Sequence, residues 1–142
     1  MSNSDNIRWL QRLEHFETAV AKLTDACKRD SYSELEMAGV IQFFVFSQEL
    51  AWNTLKDLLY VEGIEARTPR AVWREAHTAG FVDDIDTALS TIAFRNELSH
   101  RYSWNVGSVY SLFATRQGSS VVVLHGCVHQ HAAYQRRLRR ER

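Results

Sequence analysis

Apolar side chains at Ile7, Trp9, Leu10, Leu13, Phe16, Val20, Leu23 and Cys27 recur at intervals of three and four, the period of an amphipathic helix. Ser4 and Asp5 are candidate N-caps, and the pattern predicts an end near Arg29. After the polar loop Asp30-Ser-Tyr-Ser33, a second helix is predicted over Glu34 to Val61. There Val40, Ile41, Phe43, Phe44, Phe46, Leu50, Ala51, Trp52, Leu55, Leu58 and Leu59 cover much of the circumference. So broad an apolar surface predicts a central helix packed on several sides.

Gly63 suits a left-handed helix end, and Thr68-Pro69 reads as an N-cap followed by proline at the first helical position. A short third helix, Pro69 to Ala79, is then closed by Gly80. Asp83 or Asp84 caps a fourth, whose apolar stripe is Ile85, Ala88, Leu89 and Ile92. Past Tyr102 the pattern weakens. Val109, Tyr110, Leu112 and Phe113 fit a short helix, Gln117-Gly-Ser-Ser120 interrupts, and Val121-Val-Val-Leu124 has strand character with no partner strand in view. That conflict between local propensity and the surrounding helices argues against a sheet.

A chain of 142 residues with 45% hydrophobic content suits one domain with one core. One proline and six glycines are too few to punctuate many strands and turns, which favours an all-α fold. No apolar run reaches the roughly 20 residues of a membrane helix, and the polar start Met1 to Asn6 is unlike a signal peptide, so a soluble, cytoplasmic protein is expected. Cys27 and Cys127 suggest no disulfide framework. A formal charge of zero hides an asymmetry: residues 1–102 carry 11 Lys and Arg against 16 Asp and Glu, whereas residues 103–142 carry six Arg and one Glu. The basic end is either a solvated tail or a surface for an acidic partner or a nucleic-acid backbone.

The segment Arg95-Asn-Glu-Leu-Ser-His100-Arg-Tyr102 concentrates the candidate chemistry. On a continuous helix Arg95, Ser99 and Tyr102 share one stripe, and Asn96 and His100 a second. Arg95 and His100, five positions apart, are turned by roughly 140° from one another, so a shared substrate requires side-chain reach, a helix end or a second subunit. A histidine with a guanidinium suits metal-independent cleavage of RNA: imidazole moves a proton near neutral pH, and arginine stabilises charge growing on phosphate. The competing reading pairs Arg95 with Glu97, Asp86 or a partner's carboxylate and makes His100 a helix-end residue suited to the dipole.

The longer strings RWLQRLEHFETAVAKL (8–23), FFVFSQELAWNTLKDLLYVEGI (43–64), TPRAVWREAHTAGFVDD (68–84) and RNELSHRY (95–102) together resemble the nucleotidyltransferase substrate-binding protein family, within the HEPN helical-bundle superfamily. The resemblance implies an antiparallel four- or five-helix bundle, usually a homodimer. Its implied partner is a minimal nucleotidyltransferase encoded nearby, in a two-component or toxin-antitoxin system. In one version the bundle holds the substrate for its partner. In the other, the Arg-x4-His-x-Tyr motif is a ribonuclease site, with Arg95 and His100 catalytic, Asn96 and Ser99 supporting, and Tyr102 the tyrosine the partner adenylylates.

The resemblance fades at Ser103-Trp-Asn-Val-Gly107, where family members continue into a long acidic amphipathic helix. A divergent tail or a shifted reading frame would each give this loss of acidic residues. The expected layout is a helical domain over 1–117 and a basic tail over 118–142, irregular or continuing the last helix. His125, Cys127, His129 and His131 include one helical zinc-ligand spacing but no completed set, so no metal is expected. No phosphate-cradling glycine loop, paired acidic site or nucleophile elbow occurs, so neither a cofactor nor nucleotidyl transfer by this chain itself is expected.

Overall fold

The computed structural model describes residues 3–102, with Gly126, Ala133, Arg136, Arg137, Arg140 and Glu141 beyond them. Four helices follow one another over residues 3–102: α1 (Asn3–Ala26), α2 (Glu34–Val61), α3 (Pro69–Thr78) and α4 (Ile85–Tyr102). Among the described residues there is no strand. The fold is an all-α bundle. The 109–113 and 121–124 segments, the boundary at 117/118 and the histidines of the tail lie outside the described residues.

Helix α2 is the centre, touching α1, α3 and α4, as its broad apolar surface predicts. Its start is a capping box, built on a serine that the sequence pattern assigns only to a polar loop. Glu36 N–H donates to Ser33 Oγ and Ser33 N–H donates to Glu36 Oε1, each at 3.1 Å. Both α2 and α3 end in paired reverse hydrogen bonds through a glycine in the left-handed region. Gly63 (φ 81°) brings Ile64 N–H onto Leu59 O, and Gly80 (φ 84°) brings Phe81 N–H onto Ala76 O. These turns redirect the chain after each helix and place Ile64 and Phe81 against the core.

Two details of α1 differ from expectation. It begins at Asn3, so Ser4 and Asp5 sit in its first turn rather than capping it, and Asp5 pairs with Arg8. It also stops at Ala26 instead of running to Arg29. The Tyr32 hydroxyl donates to Ala26 O at 2.7 Å, which supplies a partner to a terminal carbonyl outside the helix. The chain then turns back into α2, and the ion pair of Arg29 with Glu36 spans the turn. At the far end Arg12 pairs with Asp57 at 2.9 Å. One pair near each end, in opposite sequence order, makes α1 and α2 antiparallel.

The core is the union of the helical stripes: Trp9, Leu13, Phe16, Val20 and Leu23 from α1, Phe44, Ala51, Leu55, Leu58 and Leu59 from α2, Val72, Trp73 and Ala76 from α3, and Ala88, Phe94 and Leu98 from α4. Phe44 and Phe94 meet in a tilted arrangement with ring centroids 5.0 Å apart, which ties α4 to α2. Polar Ser47, Gln48, Thr54 and Thr91 are also buried. Thr91 is satisfied locally by donating to Ala88 O.

Candidate functional site

The start of α4 is set by Asp84, one of the two expected caps. Its carboxylate accepts from Thr87 N–H at 3.0 Å and from the Thr87 hydroxyl at 2.6 Å. Those two bonds, the hydroxyl's first, hold the Asp84 pKa below the ordinary carboxylate value. Just upstream, His77 Nδ1 lies 2.8 Å from Val82 O, an arrangement in which the ring N–H donates and the carbonyl accepts. The loop between α3 and α4 is thereby fixed, and with it the phase at which α4 presents its side chains.

Phe94 and Leu98 face the core, and this phase turns the polar residues outward. Asn96, Ser99 and His100 are exposed, Arg95 is half-buried, and Tyr102 is the last described residue of α4, its side chain outside the described atoms. Arg95, Asn96, Ser99 and His100 therefore lie along one stretch of α4, away from the row of Phe94 and Leu98 that meets the core.

Arg95 has partners. Its Nη2 is 3.1 Å from Glu49 Oε1 on α2, and its Nη1 is 3.4 Å from Asn96 Oδ1. The expectation that a carboxylate would claim Arg95 is met by a residue of another helix, instead of Glu97 or Asp86. Glu49 in turn accepts from Trp52 Nε1 through its second carboxylate oxygen at 3.0 Å. Sequence reasoning missed Glu49, although a signal was present: it is the lone charge in the run Phe43 to Leu55 of a helix otherwise read as apolar. Trp73 is fully buried in the core, and Trp52 is half-buried beside Glu49 with the Lys56 ammonium 5.9 Å from its ring.

A concavity of about 310 Å³ lies at the α2–α3 turn, lined by Lys56, Tyr60, Ile64, Glu65, Ala66 and Arg67. Its cations are already engaged, Lys56 with Trp52 and Arg67 with Glu65. No group of three metal-ligating side chains occurs among the described residues, and no helix among them is long and apolar enough to cross a membrane. Cys27 is a free thiol whose burial pushes its pKa up, which disfavours the reactive thiolate.

The helices that carry these residues match a family described as nucleotidyltransferase substrate binding protein like, over residues 11–110. The chain belongs to that family. The match runs a little past Tyr102, where the resemblance read from the sequence fades. A crystal structure of a protein from Thermus thermophilus is similar to this one, with a TM-score of 0.71, 25% sequence identity, and coverage of 81% of this chain and 97% of that one. No functionally curated protein matches the chain.

Proposed function

We propose that this protein is the helical subunit of a two-component nucleotidyltransferase system, docking a minimal nucleotidyltransferase encoded nearby and presenting a substrate to it. The observation that carries this reading is family membership over a stretch that takes in most of α1 and all of α2, α3 and α4. Exposed aromatic and aliphatic side chains support it: Phe46 and Ile7 are about half exposed, at 53% and 49%, on helices whose other faces are core. Subunit interfaces cover apolar area of this kind. The direct test is co-purification with the product of the adjacent gene, and failure to form a complex on co-expression would contradict it.

A second reading, favoured by Arg95 held beside Asn96 on the same helix as exposed His100, is a metal-independent endoribonuclease. In this scheme the RNA 2′-hydroxyl attacks the adjacent phosphorus and the 5′-oxygen leaves, giving a cyclic phosphate. His100 transfers the proton, while Arg95 stabilises charge on the phosphoryl oxygens and Ser99 and Asn96 support them. The turn between Arg95 and His100 along α4 favours a site completed across a homodimer. Adenylylation of the Tyr102 hydroxyl by the partner would add bulk and negative charge where phosphate must enter, switching the activity off. RNA cleavage in EDTA by the wild type, lost in His100→Ala, is the expected result; equal cleavage by both, or none, rejects the reading.

A further inference from the structure

Glu49 sits at the middle of α2, and its carboxylate is held from two sides. Oε2 accepts from the Trp52 indole N–H at 3.0 Å, three residues on along the same helix. Oε1 faces α4 and takes Arg95 Nη2 at 3.1 Å. A planar, half-buried indole thus fixes the carboxylate, and the carboxylate fixes the guanidinium. Asn96 Oδ1 touches the Nη1 side at 3.4 Å, and Arg95 Nε is buried without a hydrogen-bond partner among the described residues.

An unrestrained arginine samples many rotamers, and a bound anion would have to order it. Here one N–H of the five that the guanidinium carries is committed to Glu49, which sets the plane and leaves other donors for a ligand. The side chains of Arg95 and Glu49 are 34% and 42% exposed, so solvent screens the pair and its contribution to stability is small. Orientation is the larger consequence.

We propose that Glu49 is a positioning residue that, locked by Trp52, holds Arg95 in the orientation in which it receives an RNA phosphodiester. This rests on the ribonuclease reading for the identity of the ligand, but not for the geometry. The test compares wild type, Glu49→Gln and Trp52→Phe by side-chain N–H exchange at Arg95 Nε, assigned with Arg95→Lys, and by RNA turnover in EDTA. In Glu49→Gln the Nε proton is expected to exchange about fivefold faster or more as the guanidinium loosens. Turnover is expected to fall about tenfold or more while the melting temperature hardly moves. Trp52→Phe, which keeps the carboxylate but frees it, is expected to fall between. Unchanged exchange in Glu49→Gln overturns the proposal whatever the activity, and faster exchange with unchanged turnover overturns it too. A wild type that cleaves no RNA counts against the ribonuclease reading alone, and the exchange comparison then decides the positioning by itself.

Discussion

Asp84 joins a helix cap to a titration. Its carboxylate accepts both bonds from Thr87 and its pKa is lowered in the folded protein, so folding favours the ionised form. The stability this contributes is fully present above the ordinary carboxylate pKa of about 3.9 and is lost as pH falls through the lowered value. Asparagine keeps a capping oxygen but does not titrate, and as a neutral acceptor it lacks the charge-assisted part of the bonds from Thr87. Wild type is therefore expected to melt above Asp84→Asn at neutral pH, with the gap closing below about pH 4; thermal melts of both across that range check it. Asp84 was legible beforehand because a cap is a local signal. Glu49 stands out in the sequence only as a lone charge in an apolar run, since its role lies in a contact between helices that the packing of α4 against α2 creates.

At the scale of elements, helix punctuation was the most readable part of the chain. Gly63, Thr68-Pro69 and Gly80 mark ends and starts by backbone geometry alone, and α2 and α3 fall where those residues put them. The end of α1 was not readable. It depends on Tyr32 reaching back to Ala26 O, a contact no periodicity encodes. The capping box at the start of α2 carries its own expectation: Ser33→Ala should cost about 1 kcal/mol in urea denaturation, because it orphans Glu36 N–H. Where α4 meets α2, Phe94→Ala should cost about 3–5 kcal/mol, because it leaves a cavity against Phe44 as well as removing buried area. It should also disturb the register of Arg95, its neighbour, so loss of any Arg95-dependent activity should accompany the loss of stability.

For the whole molecule, the bundle supplies a platform and the function depends on what meets it. All-α architecture was legible from apolar periodicity and the scarcity of Gly and Pro, because a helix period needs no knowledge of partners. The assembly is not written in that periodicity. Ile7, Leu10, Phe43 and Phe46 obey the same apolar pattern as the core yet stay exposed, so whether they face core or partner depends on the tertiary arrangement. The proposed role places that apolar surface against a nucleotidyltransferase. Light scattering of the chain co-expressed with the product of its neighbouring gene, after size exclusion, tests this most directly. A single species whose mass is the sum of whole subunits of both proteins is predicted; two separate peaks, each with the mass of one protein by itself, would contradict it.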